Sequence, residues 1–309
     1  MQRSNEKIDI PIEVIFLDLG STLIYAQEPW PPVLVRADQE LVRYLRQAGF
    51  LIDSTALHGN FDTFLDAYYA QREKDNVEPT TFVFLRDRLT ESGYGSVPDP
   101  ILRRALGSMY AVAERNWYVE EDAISTLASL KEEGYRLGLI SNTSDDNNVH
   151  ALVDQCGFRP FFDLILTSAG CGYRKPHPRI FQIALEHFSI QPGQAVMVGD
   201  TLEADIAGAN SLGIYSVWIT RRTESSDPSI APEQPFDTVR AASAGAPPVR
   251  DGKLKTSTQD AGSGSDPSTV LRQAQDISSG QVPAIQPMAV IQALSVLPAL
   301  LASLRQTSP

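Results

Sequence analysis

Five side chains stand where chemistry explains their placement better than packing does: Asp18, Ser141, Lys175, Asp200 and Asp205. Asp18 closes the apolar run Val14-Ile15-Phe16-Leu17 and is followed by Leu19-Gly20-Ser21-Thr22. Such a run reads as a strand buried on both faces, so the carboxylate arrives at the carboxyl end of a strand, the edge where open α/β sheets bind ligands. Ser141, followed by Asn142 and Thr143, ends a second apolar run at residues 135–140. Lys175 lies in the loop Gly172-Tyr173-Arg174-Lys175-Pro176; Asp200 follows a third run, 195–198, with Asp205 shortly after. Carboxylates serve as nucleophiles, bases or ligands of hard cations, and a hydroxyl and an ammonium donate to anionic oxygens. Taken singly, each has a plainer reading: a solvated strand-end Asp, a turn-capping Ser, a loop Lys. The ordered set favours the chemical one.

The elements that must position these groups alternate. Residues 122–133 have the pattern of an amphipathic helix stopped by Gly134, and they feed the run ending at Ser141. A helix at 147–156, a short strand at 163–166, a helix at 178–188, the strand at 195–198 and another at 214–220 follow in turn. This alternation predicts an α/β fold, a doubly wound parallel sheet with helices on both faces, because parallel strands need crossover connections. Residues 208–213, small and Gly-rich, read as close helix packing and a C-cap, not a dinucleotide fingerprint, since they do not open a helix at a Gly-rich turn.

Between Leu23 and residue 121 the spacing is helical. Residues 25–32, with three prolines, read as a loop. Val33, Leu34, Leu41, Val42 and Leu45 form one helix face, ended by Gly49; Phe61, Phe64, Leu65, Tyr68 and Tyr69 form a second. Phe82, Phe84, Leu85 and Leu89 mark a third helix, and residues 101–118 a fourth after the start signal Asp99-Pro100.

Asp, Ser, Lys and an acidic pair, in this order and at strand ends, resemble the four-part signature of the haloacid dehalogenase-like (HAD) superfamily. The resemblance spans both halves of the core. It implies a Rossmann-like core at residues 1–24, 121–222 and 283–309, with the helical bundle at 25–120 as a C1-type cap over the active site. It also implies a hydrolase in which Asp18 attacks phosphorus and forms an aspartyl-phosphate, and in which Mg²⁺ is held by Asp18, Asp200 and the backbone carbonyl of Gly20. Ser141 and Lys175 would hold the phosphoryl oxygens, with Thr22 and Asn142 as further substrate-binding positions. Asp205 would orient Lys175 or a metal-bound water. The implied substrate is a small phosphorylated metabolite.

One position departs from the family pattern. Phosphatases of this kind carry a second Asp two residues after the first, acting as general acid and then base, and here Gly20 stands there. Positioned proton transfer is worth about 10² to 10⁴ in rate, so ordinary alkyl phosphates are expected to be slow substrates. The alternatives are a phosphate-binding or regulatory protein with little turnover and, third, a haloacid-type dehalogenase. Phosphonatases use a cap lysine as Schiff base; Lys74 is the lysine of the cap region, with nothing around it that argues for imine chemistry.

Composition narrows the rest. At 309 residues the chain exceeds one typical domain, which predicts a large core plus a second unit. A net charge of −12 without a Lys/Arg cluster argues against nucleic acid as a partner. Cys156 and Cys171 lack metal-ligand spacing and read as core or loop residues. No apolar run approaches a membrane span and no signal-like segment opens the sequence, so a cytoplasmic protein is expected. Residues 223–282 are rich in Ser, Pro, Gly, Ala and Gln and cannot bury enough surface to offset their ordering entropy, which predicts a disordered insertion. The pattern at 288–304 then reads as a last core strand and helix. A core strand at 235–240 with an independent C-terminal helix is the competing arrangement.

Overall fold

The computed structural model describes residues 11–52, 74–95, 97–222 and 285–306. Its centre is β1 (Val14–Leu17), whose four side chains are fully buried. Val14 and Phe16 face one side and pack with Ile180, Phe181 and Phe188; Ile15 and Leu17 face the other and pack with Leu127, Leu130 and Leu152. A strand that feeds two apolar layers must be apolar at every position, which is why its sequence runs without alternation.

The other short elements are β2 (Ile24–Ala26), β3 (Trp117–Val119), β4 (Arg136–Ser141), β5 (Leu164–Thr167), β6 (Ala195–Gly199), β7 (Tyr215–Ile219) and β8 (Ala289–Ile291). Among the described residues the main sheet has six strands in the order β5-β4-β1-β6-β7-β8, and every pairing there is parallel. The chain builds outward from β1 first through β4 and β5 and then, on the other side, through β6 to β8. Its direction of winding therefore reverses at β1, which opens a crevice at the carboxyl ends of β1, β4 and β6. Residues 289–291 form the edge beside β7, pairing Ala289 with Val217. Both the predicted insertion and the competing strand at 235–240 fall outside the described residues.

Between β2 and β3 lie α1 (Trp30–Gln47), α2 (Thr81–Glu91) and α3 (Asp99–Glu114). They share an apolar cluster of their own in which Leu41, Val42 and Leu45 meet Leu102, Leu106 and Met109. Gly49, at φ +94°, takes the left-handed conformation that ends α1. The helix face expected at Phe61 to Tyr69 lies outside the described residues.

One expectation is corrected here. The chain was expected to loop from residue 25 and to stay helical through Tyr118, but 24–26 and 117–119 pair as an antiparallel ribbon, Tyr25 opposite Tyr118. Three-residue strands are too short to show a period of two, and their aromatic residues mimic the end of a helical stripe. The ribbon carries both crossings between the helical insert and the sheet.

The remaining described α-helices of ten or more residues are α4 (Ala123–Glu132), α5 (Asp146–Gln155), α6 (Pro178–Phe188) and α7 (Leu297–Gln306). Asp145 caps α5, accepting from Asn148 N–H at 3.0 Å. His177 caps α6 by accepting from Arg179 N–H and stacks on Tyr173, which leaves it half-buried. Among the described residues no helix is long and apolar enough to cross a membrane.

Candidate active site

Asp18, Ser141 and Asp200 stand at the carboxyl ends of β1, β4 and β6 because Leu17 pairs with both Leu139 and Val198, putting the three strand ends at one level. The Asp18 N–H continues the ladder by donating to Val198 O at 2.9 Å. Lys175 reaches this edge from the loop before α6. Its ammonium donates to Asp18 Oδ1 at 2.6 Å and to Ile140 O at 2.8 Å, and it lies 2.6 Å from Asp205 Oδ1.

Asp18, Lys175 and Asp205 are 8%, 3% and 1% exposed, so their charges act on one another with little solvent between them. Burial pushes the Asp18 carboxyl up to about 7, against the pull of the Lys175 ammonium and with a further rise from Asp205. For Lys175, burial works against the charged form, but the two carboxylates outweigh it and hold the group above the ordinary lysine value.

Asp205 owes its position to a local winding. Residues Leu202–Ala207 form a π-helical turn, with Ile206 N–H reaching back to Thr201 O. The Asp205 carboxylate folds back over Gly199, where a Cβ would collide with it, and accepts from Thr201 N–H at 3.0 Å. The glycine before Asp200 is thus required by close approach. Oxygens of Asp18, Asp200 and Asp205 all lie within 4.8 Å of one another, a set of hard donors in a partly buried place. That donor set fits a divalent cation of the Mg²⁺ type.

These groups line a cavity of about 150 Å³. Ser141, Asn142 and Gly20 are on its wall, as expected from sequence. Thr22 and Asn142 are held in different ways. Thr22 is fully buried and absent from the wall: residues 19–23 coil into a tight turn, Leu23 N–H to Leu19 O at 2.9 Å, and Ser21, at φ +54°, takes the wall position instead. Asn142 has both ends of its amide on the Lys175 backbone, accepting from the N–H at 2.8 Å and donating to the carbonyl at 2.9 Å, so it positions the lysine. Lys74 is exposed and off the wall. Asp145 is off the wall too and lines a neighbouring cavity.

Sequence reasoning missed Trp30 and Trp117, both on the cavity wall with ring centroids 5.2 Å apart. The available signal was their place in the chain, one at each junction of the helical insert. It missed as well the support behind the loops. Glu78, from the insert, pairs with buried Arg174 next to Lys175, and its carboxylate accepts from Ser168 Oγ at 2.7 Å, whose oxygen in turn accepts from Thr143 N–H at 2.8 Å.

A model of the haloacid dehalogenase-like hydrolases matches residues 12–213, which include every group of the site. The chain belongs to that family. Among its relatives, the glyceraldehyde 3-phosphate phosphatase of Pyrococcus furiosus is 38% identical over 67% of this chain and 80% of that protein. The phosphoserine phosphatase of Thermus thermophilus is 32% identical over 48% of this chain, which spans 57% of that protein's length. The crystal structure of a 2-haloacid dehalogenase from Pseudomonas syringae pv. Tomato DC3000 covers 75% of this HAD chain and 98% of its own, with a TM-score of 0.50 at 21% identity, a likeness of fold alone.

Proposed function

We propose that this HAD-like hydrolase is a Mg²⁺-dependent phosphatase of small phosphorylated metabolites, working through an aspartyl-phosphate at Asp18. The observation that carries this reading is the buried Lys175 ammonium held between Asp18 and Asp205, with Asp200 beside them at one sheet edge. The relatives named as phosphatases of phosphoserine and glyceraldehyde 3-phosphate support it.

Asp18 attacks phosphorus in line with the departing oxygen, and water then cleaves the acyl phosphate. Lys175, kept charged by its two carboxylates, neutralises the phosphoryl oxygens, and Ser141 donates a hydrogen bond to one of them. Asn142 fixes the lysine backbone, and Asp205 orients its ammonium. Asp18, Asp200 and the Gly20 carbonyl would hold the cation. When bound, Mg²⁺ would offset the phosphoryl charge and favour the ionised form of Asp18. Gly20 leaves the departing oxygen without a side-chain acid.

Phosphate and halide release, each measured with and without Mg²⁺ and in Asp18→Asn, tests the reading. Mg²⁺-dependent phosphate release that Asp18→Asn abolishes is expected. Metal-independent halide release would assign a dehalogenase instead. Gly20 favours one second reading, a phosphate-binding protein with slow turnover, for which phosphate would bind but no ester tested would be cleaved.

A further inference from the structure

The wall of the catalytic cavity is mixed. Its polar side chains include Asp18, Ser141, Lys175 and Asp200, and its apolar ones include Trp30 and Trp117. Trp117 stands next to the position that lacks a side chain: its Cη2 atom is 3.6 Å from where a Cβ on Gly20 would lie. The Trp117 backbone is fixed by pairing with Ala26 across the ribbon, and its ring packs on a buried cluster of Trp30, Val33, Leu34 and Ala113. The two indoles meet at 59°, so they form a preset aromatic corner and not a mobile side chain.

Two independent facts converge on one kind of leaving group. Chemically, an enzyme without a general acid at residue 20 favours an oxygen that departs without taking a proton. A phenol ionises near 10, as tyrosine does, whereas a hydroxyl of the water type ionises far higher. Geometrically, the surface next to that oxygen is the edge of an aromatic ring in an apolar corner, a surface suited to a planar apolar group.

Resting on the phosphatase reading above, we propose that Trp117, backed by Trp30, is the leaving-group subsite and that the substrates are aryl phosphates. Asp18 oxygen bonds to phosphorus as the phosphorus–aryl oxygen bond breaks, and the electron pair leaves with the phenolate, which is protonated by solvent. Water then adds to phosphorus, the bond to Asp18 breaks, and inorganic phosphate departs with a proton released to solvent. The relatives' named substrates are aliphatic phosphates, which sets this chain apart from them.

The test uses the full chain with phenyl, benzyl and cyclohexyl phosphates, which separate the ring from the leaving-group chemistry. The expected order of kcat/KM is phenyl, then benzyl, then cyclohexyl. In Trp117→Leu the KM for phenyl and benzyl phosphate should rise by about fivefold or more, narrowing their advantage over cyclohexyl phosphate. In case that variant does not fold, calorimetry on the wild type with phenylphosphonate and methylphosphonate reads the same subsite, and tighter binding of the phenyl compound is expected. Equal kcat/KM for phenyl and cyclohexyl phosphate, or equal affinity for the two phosphonates, would overturn the proposal. Tighter phenylphosphonate binding with no ester cleaved would keep Trp117 as an aryl-binding subsite but overturn the phosphatase reading and, with it, aryl phosphates as substrates.

Discussion

Asn142 grips Lys175 by its backbone, taking the N–H on Oδ1 at 2.8 Å and giving Nδ2–H to the carbonyl at 2.9 Å. The side chain that follows Ser141 therefore sets the distance between the two groups assigned to the phosphoryl oxygens. Asn142→Ala removes both bonds at about 1 kcal/mol each, so affinity for inorganic phosphate should fall by about thirtyfold. Titration calorimetry checks this, and unchanged affinity would leave Asn142 without a positioning role.

Glu78 couples the helical insert to the same loops. Its side chain is fully buried against Arg174, so Glu78→Gln, which removes the counter-charge, should cost about 3–5 kcal/mol and lower Tm markedly. The double variant Glu78→Leu with Arg174→Met should recover most of the Tm. Its phosphate affinity should stay low if the pair sets loop geometry, and return to the wild-type value if the pair only stabilises.

Gly20→Asp asks whether the missing acid can be restored. The backbone at 20 is outside the left-handed region and a Cβ there would meet only an ordinary contact with Trp117, so the variant should fold. Turnover of alkyl phosphates should rise, by up to about 10², and kcat should depend less on leaving-group pKa. A wild type with no dependence on leaving-group pKa, and no gain in the variant, would mean that another group already supplies the proton.

Asp200→Asn exchanges a charged oxygen for a neutral one in the triad whose oxygens lie within 4.8 Å of one another. Mg²⁺ affinity should fall by at least about tenfold, read by calorimetry on folded protein. Asp200 would drop out of the cation site if the binding isotherm did not change.

Asp18 makes stability depend on pH. Its carboxyl rises from 3.8 to about 7 on folding without a cation, so between these values the folded state binds more protons than the unfolded one. The contribution is complete below 3.8 and is lost as pH climbs through about 7. In EDTA, the Tm of the wild type relative to Asp18→Asn should therefore decline from pH 4 to pH 7. A difference that stays flat, or grows, across this window would contradict the raised carboxyl.

The sequence by itself determined the strand ends. Runs of apolar residues that stop at Asp18, Ser141 and Asp200 read as buried strands, and the helices between them oblige a parallel sheet, so the three side chains share one edge. The span of α6 and the stop of α1 at Gly49 were equally legible, since both are set by local sequence. What only the tertiary structure decided depends on contacts that no local period encodes. Lys175 meets Asp18 across 157 positions of chain, and Asn142 holds Lys175 across 33. Ser21 and not Thr22 lines the cavity because a turn too tight for any periodic pattern chose which of the two faces it. Trp30 and Trp117, at opposite ends of the helical insert, became one wall only because the β2–β3 ribbon folds the two junctions together, and three-residue strands leave no period in the sequence to announce that pairing.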